Sequence, residues 1–374
     1  MTLKIADLDP IQNRAAGAMM GAFIGEALGV GPHWFYDLDE LQRRYGTWID
    51  GYTRPLPGRY HDGLEPGDLS QSGLILALMI DSLLQAKGYD DEEFRRRFED
   101  EIFAHIDGSA MSGPGGYTSQ SVREAYLQWR ANGGDWEGIA GPADSTEALE
   151  RTIALSTFYA FDLQAMAAAV NRNARLMQND ATVLSMTVAF NAVLALLIQG
   201  EALDGDLSGK LMSSAKSGAL PFYVLTTGNL APPKPGTADP LGEQRFASPD
   251  ALLSPSYMAR AARDPGVRIE PAWKVSLVYG MPCAIYHMLP AAYYLAARFS
   301  DDFESGVLHA LIGGGQNQIR AMLTSTLIGA QTGIGSIPER FIEGLTDKDA
   351  LLSKVLELGA LVSDAARTTR SPLT

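Results

Sequence analysis

Between residues 10 and 29 glycine returns every fourth position, at Gly17, Gly21, Gly25 and Gly29. The residues around them, among them Ile11, Ala15, Ala18, Met19, Ala22 and Ile24, are small and apolar, and Asp9-Pro10 supplies a cap and a first turn. A glycine inside a helix costs about 1 kcal/mol relative to alanine, so a row of four needs compensation elsewhere. A period of four places all of them on one helical face, where the missing side chains let a second helix come close. The spacing therefore predicts a helix pressed along its length against another. A membrane dimer uses similar spacing, but this segment is too short and carries Glu26.

A second small-residue stretch lies near the C-terminus, Leu311-Ile-Gly-Gly-Gly-Gln-Asn-Gln318 and the residues after it. Gly313, Gly314 and Gly315 permit positive φ and allow backbone amides to approach a ligand. Gln316, Asn317 and Gln318 then set three carboxamides, each both donor and acceptor, at the start of a predicted helix. That helix continues through Ile319, Met322, Leu323 and Leu327, with Ala321, Ser325, Gly329 and Ala330 as its small face. Free amides at a helix start suit a polar or anionic ligand. A glycine turn with an Asn/Gln cap reads equally well from spacing alone.

Other segments repeat the helical period. Helices are predicted over 38–45, 74–84, 91–106, 118–131, 165–176, 181–198, 280–298 and 348–367. Asp144-Ser-Thr-Glu147 reads as a capping box opening one more. An aromatic loop at 30–37 holds His33, Trp34 and Tyr36, which either stack on a ligand ring or cover the core. The irregular stretch 53–67 delivers His61, and Gly67-Asp-Leu-Ser-Gln71 opens the apolar helix that follows, with Asp68 or Ser70 as its cap. Residues 228–255 are rich in proline, glycine and serine and read as an excursion or lid, since the core pattern resumes after them. Strand alternation is scarce. The expected fold is all-α, a single domain over residues 1–374.

Several function classes drop out on charge and composition. The formal net charge is −14, from 44 acidic and 30 basic side chains, and Arg95-Arg-Arg97 is flanked by acids on both sides. Such a chain repels a phosphate backbone, so no nucleic-acid partner is expected. No apolar run of membrane-spanning length and no signal peptide is read, which points to a cytoplasmic protein without a membrane partner. A homo-oligomer is allowed. The single Cys283 excludes an internal disulfide, and its apolar neighbours favour a buried thiol over a nucleophile.

Three of these segments resemble the ADP-ribosylglycohydrolase family. Ala16 to Gly29 is similar to the family's opening helix, with Glu26 where an aspartate is common. Gly67, Asp68, Leu69 and Ser70 align with a Thr-Asp-Asp-Thr metal motif, keeping one carboxylate and one hydroxyl. The triple-glycine stretch resembles the second metal motif, Gly-Gly-Asp-Thr-Asp, and puts Gly315 and Asn317 where the two aspartates stand. The family's loop lining its pocket falls near Asp144 to Thr146, and the joint at Met177-Gln-Asn-Asp180 lacks the usual Thr-His pair.

The resemblance, which covers nearly the whole chain, implies the same all-α fold. It also implies a magnesium or manganese pair in relatives, and one matched carboxylate cannot balance two such ions, so no metal or other cofactor is expected here. What remains is a polar pocket for a small molecule. Asp68 and then Glu26 are the expected catalytic carboxylates, with His33 or His61 as an acid. Ser70, Gln71, Tyr36, Gly314, Gly315, Gln316, Asn317 and Gln318 are expected to bind the ligand with the two histidines. Three readings stay open: a metal-independent hydrolase or other C–N bond-cleaving enzyme on a small ribosyl- or nucleoside-like compound, a non-catalytic binder of such a ligand, and a structural protein like the family's lens crystallins.

Overall fold

The computed structural model describes residues 5–224, 245–246 and 249–370 of the 374-residue chain. The chain opens with α1 (Pro10–Val30), α2 (Leu38–Tyr45), α3 (Gln71–Ala86) and α4 (Asp91–Glu101). Next come α5 (Gln120–Ala131), α6 (Glu147–Phe158), α7 (Leu163–Ala174) and α8 (Ala181–Gln199). The second half holds α9 (Leu207–Lys216), α10 (Asp250–Arg263), α11 (Val275–Tyr279) and α12 (Ile285–Arg298). It closes with α13 (Phe303–Ile312), α14 (Asn317–Thr332), α15 (Glu339–Glu343) and α16 (Lys348–Arg370). Among the described residues there are isolated bridges but no strand, so the all-α expectation holds.

The glycine row of α1 does what its spacing predicts. Asp9 accepts from the amides of Ile11 and Gln12 while the Gln12 side chain accepts from the Asp9 amide, a complete capping box with Pro10 at the first turn. From Ala15 to Val30 the helix is buried on every side, as is α14 from Asn317 to Ala330. The two run against each other at their small residues. A methyl group at Gly17 would overlap the Gly329 carbonyl, one at Gly21 the Ser325 carbonyl, and one at Gly25 would lie 2.5 Å from the Ala321 oxygen. The Ser325 hydroxyl donates across the seam to the Gly21 carbonyl at 2.6 Å. Close approach thus replaces the side-chain burial that glycine forgoes.

Several sequence-based boundaries shift. The helix expected over 280–298 begins only at Ile285, because Gly280 at φ +117° ends the short α11 and residues up to Ala284 are not helical. Helices α9, α10, α11, α13 and α15 were not expected as such. Residues 250–255, placed in the proline-rich excursion, form the first turns of α10, and 225–244 lie outside the described residues. Among the described residues one helix, Ala181–Gln199, is long and apolar enough to cross a membrane, contrary to the reading that no such run exists. Its mean hydropathy is 2.1, and 78% of it is buried among the other helices.

Candidate functional site

The starts of α3, α6 and α14 face one polar cavity of about 100 Å³. Ser70 and Gln71 reach it from α3, Glu147 and Glu150 from α6, and Gln316 and Gln318 from α14. His33, Trp34 and His61 line it from the two loops that precede α2 and α3. The sequence expectation that the motifs near residues 68 and 316 share a pocket is met by their neighbours: Ser70 and Gln318 bond to the same carboxylate.

That carboxylate is Glu26, fully buried on the last turns of α1. Its Oε1 accepts from the Ser70 amide at 3.1 Å, from the Ser70 hydroxyl, and from Gln318 Nε2 at 3.0 Å. Burial raises its pKa to about 7 despite those donors. Glu26 does not line the cavity. It stands behind Ser70 and Gln318 and fixes both.

Asp68, the leading catalytic expectation, lies elsewhere. Its Oδ1 accepts from the Thr346 hydroxyl at 2.6 Å and its Oδ2 from the Glu65 amide at 2.8 Å, so the carboxylate closes a turn against the α15–α16 connection. It is not part of the cavity wall. Asn317 is also withdrawn, donating from Nδ2 to the carbonyls of Pro32 and Leu311 at 3.0 and 2.9 Å. Tyr36 is 53% exposed and lies outside the wall.

The glycine amides correct a further expectation. Gly314 and Gly315 do have positive φ, +64° and +60°, but the Gly315 amide donates to Phe35 O at 2.7 Å and the Gln316 amide to Met281 O at 2.8 Å. Those amides hold the turn in place and are spent on the protein. Beneath it Arg320, fully buried, donates from Nε to Ala310 O at 2.9 Å and from Nη2 to Gly314 O at 2.6 Å, and burial lowers its pKa to about 9.

The two histidines form a directed chain. His61 Nδ1 donates to the Gly115 carbonyl at 2.9 Å, an acceptor that cannot donate in return. Burial lowers the pKa of His61 to about 4 and that of His33 well below the usual imidazole range, so both are neutral. His61 Nε2 then accepts, and His33 Nδ1 donates to it at 2.7 Å. The Gln316 carboxamide is placed with Oε1 against His33 Nε2. An accepting Nε2 cannot face that oxygen, so the neutral chain requires the amide to be turned with its nitrogen toward His33. His61 and Trp34 hold φ of +66° and +59°, a conformation costing on the order of 1–3 kcal/mol in side-chain-bearing residues and concentrated at functional sites. Trp34 stacks on His33 at 4.1 Å and meets Tyr60 and Tyr117 edge-on at 4.5 and 4.6 Å, an aromatic lip beside the cavity.

Glu147 and Glu150, one turn apart on α6, are the carboxylates that the cavity does contain. The Ser145 hydroxyl bonds Glu147, and the Thr146 hydroxyl donates to Glu150 at 2.7 Å. The capping box expected at Asp144–Glu147 does not form. Gln178 Oε1 instead accepts from the Ala148 amide at 2.8 Å, and Asp144 accepts from the Tyr286 hydroxyl at 2.8 Å. Burial raises both glutamates, and the charge of Glu147 adds to the rise at Glu150, which reaches about 7. Arg151, buried beside them, is lowered to about 10 by burial and donates to Asn173 and to the Glu147 carbonyl. The signal for this pair was an i, i+3 couple of acids followed by arginine inside an otherwise apolar helix. Cys283 is half-buried at the cavity wall, and burial raises its thiol to about 11.

The positions matched to the family's metal ligands do not assemble. Asp68 and Asn317 are bonded to protein groups, Gly315 has no side chain, and the Ser70 hydroxyl is engaged by Glu26. Among the described residues no three His, Cys, Asp or Glu side chains gather as a metal site. These residues do not fit a pair of divalent cations.

Fold and cavity together define a helical protein with a small polar site at the convergence of three helix starts. The family model for ADP-ribosylglycohydrolase matches residues 7–371, and the chain belongs to that family. A solved structure titled "ADP-ribosylglycohydrolase-related protein complex" superposes with a TM-score of 0.60 at 18% identity, covering 95% of this chain and all of the other. At that identity the likeness shows the fold alone. No curated protein matches the chain.

Proposed function

We infer that this protein is a metal-independent hydrolase that cleaves a C–N bond in a small ribosyl- or nucleoside-like compound. The observation that carries the reading is the Glu147–Glu150 pair, two carboxyl groups one turn apart in a cavity already lined with carboxamides and hydroxyls. Cleavage of an N-glycosidic bond passes through an oxocarbenium-like state. It requires a proton for the departing nitrogen and a carboxylate that orients water or balances the developing charge. Glu150, held protonated toward neutral pH by burial and by its neighbour, is the proton donor. Glu147, less enclosed and bonded by the Ser145 hydroxyl, is the carboxylate.

In that step the C–N bond breaks and the nitrogen leaves with the proton from Glu150. Water adds its hydroxyl to the sugar carbon, and its remaining proton passes to Glu147 and restores the pair's single shared proton. The reading moves the working carboxylate from Asp68 and Glu26 to α6. Glu26 becomes a positioning residue for Ser70 and Gln318.

The size of the cavity supports a small substrate. Its volume of about 100 Å³ is below the roughly 300 Å³ at which pockets for drug-sized ligands begin. The scattered metal-motif residues support a reaction without the magnesium or manganese pair. A cytoplasmic setting without a nucleic-acid or membrane partner belongs to the same reading.

The test is an unbiased metabolite screen with purified protein, scored for both thermal shift and substrate loss, with and without chelator. Chelator-insensitive loss of a small C–N-linked compound is the expected result. Efficient, chelator-sensitive cleavage of ADP-ribose conjugates would overturn it. Saturable binding without turnover would make the protein a non-catalytic binder.

A further inference from the structure

The cavity's carboxamides share one orientation, and each is set by the protein. Thr118 donates its hydroxyl proton to Ser112 O at 2.6 Å, so its oxygen can only accept from Gln71, whose Nε2 lies at 2.9 Å. Gln71 is 3% exposed, and its Oε1 has no protein partner. Gln318 directs Nε2 to the Glu26 carboxylate, which leaves its Oε1 over. Gln316 has to turn its amide nitrogen to His33 because the chain anchored on the Gly115 carbonyl allows nothing else. Gln318, and Gln316 once turned as the histidine chain requires, give their donors to the protein and keep their carbonyls, and Gln71 leaves a buried carbonyl oxygen without a partner in the wall.

The charged groups follow the same polarity. Glu147 lines the wall as a carboxylate acceptor, beside Glu150, with which it shares one proton. The two arginines that also line it have acceptors of their own. Arg151 spends Nε, Nη1 and Nη2 on Asn173 and Glu147 O, and Arg123 Nη1 meets Thr118 O and the Tyr117 hydroxyl. Neutral histidines add no cation. A phosphate here would face mostly carbonyl and carboxylate oxygens, and of the two lining arginines only Arg123, bonded through Nη1 alone, has donors left over. A protonated amine with adjacent hydroxyls would find an acceptor for each of its hydrogens.

We propose that the cavity selects a compact, donor-rich organic cation, a protonated amine carrying neighbouring hydroxyl groups, and rejects phosphate-bearing compounds. The proposal rests on the hydrolase reading above in so far as this amine is the nitrogen side of the bond cleaved. The selection itself follows from hydrogen-bond polarity and does not require turnover.

Three probes of one skeleton test it: 3-amino-1,2-propanediol, glycerol and glycerol 3-phosphate, each titrated into the purified protein at pH 7 by calorimetry or ligand-observed NMR. The amine should bind about ten-fold or more tightly than glycerol, as a charge-assisted hydrogen bond outweighs a neutral one. The phosphate should not bind. Glu147→Gln, which removes the pair's carboxylate charge, should bring the amine down to the glycerol level, and Glu147→Ala carries the same test if that variant does not fold. Gln71→Met should weaken amine and glycerol alike. The proposal is overturned if glycerol 3-phosphate matches the amine, if the glutamate variants keep the amine preference, or if none of the probes binds saturably. Selective amine binding with no turnover in the metabolite screen would sink the hydrolase reading alone. Turnover without amine preference would sink this proposal alone.

Discussion

The α1–α14 pair has two unlike ends. Between Gly17 and Gly25 it is a seam of backbone against backbone, with Gly329, Ser325 and Ala321 opposite and no room for a methyl group. At the very next residue of α1 the same pair reaches Glu26 and Gln318, where buried polar groups meet and the cavity begins. At the first end, geometry is decided by what is missing from the side chains. At the second, it is decided by whether each buried donor and acceptor finds a partner. The contrast teaches that a packed seam fails through added volume and a polar end through altered charge or hydrogen-bond sense.

The largest effect is expected at the seam. Gly25→Val would drive side-chain carbons into the Ala321 carbonyl and the Ser325 hydroxyl, at or beyond the top of the roughly 1–3 kcal/mol range for overpacking. Circular dichroism and yield should report loss of the folded protein, and a variant that melts like wild type would break the close-approach account. At the polar end Glu147→Gln should leave melting nearly unchanged while turnover falls by about 10²–10⁴, the usual contribution of a positioned acid or base. A loss below ten-fold would remove Glu147 from the reaction.

Glu26 sharpens the comparison through pH. Its carboxyl is raised from the ordinary 4.5 to about 7 in the folded protein, so the folded state holds a proton that the unfolded chain releases above 4.5. Its stabilising contribution is complete below pH 4.5 and lost as pH rises through 7, up to about 3 kcal/mol for a shift of this size. Glu150 acts in the same direction. His33 and His61, lowered by burial, act oppositely, costing stability as pH falls below 6.5. Denaturant melts across pH 4.5–8 should show a flatter profile for Glu26→Gln than for wild type. An unchanged slope would mean that Glu26 is not the group responsible.

Two smaller effects bound the scheme. Asp68→Asn should cost about 1 kcal/mol of stability through its turn and leave turnover within a few-fold. A collapse of turnover with normal melting would return Asp68 to the reaction. Gly209, on α9, has open space where a methyl would go, so Gly209→Ala should raise stability by about 0.5–1 kcal/mol. Destabilisation there would show that open space is not what separates it from Gly25.

Much of this could be read from the chain. The period-four glycines announce the seam, and Ser70, Gln71, His33, His61, Gln316 and Gln318, expected from sequence to share a pocket, all line the one cavity. The failures have physical reasons. Asp68 and Asn317 sit beside pocket residues in sequence, yet a turn closed by Thr346 and a loop closed at Pro32 take their side chains away, and such partners are some 280 residues distant. The amides of Gly315 and Gln316 were legible as available and not as already used, because Phe35 and Met281 supply their acceptors from far along the chain. Glu147 was absorbed by a plausible capping box. Glu150 resembles any polar helical residue until its burial is known.

The Gly115 carbonyl at the end of the histidine chain has a consequence for how the site can change. Because that oxygen has no proton to give, a neutral chain of His61, His33 and Gln316 has a single allowed sense and no mirror state to relax into. The wall near Gln316 is thus preset before any ligand arrives, and a guest of the wrong polarity cannot be accommodated by shuffling protons among neighbours. Divergence toward a different guest would need a replacement within the relay itself, at His61, His33 or Gln316. Drift on the surrounding surface would leave the sense of the relay intact.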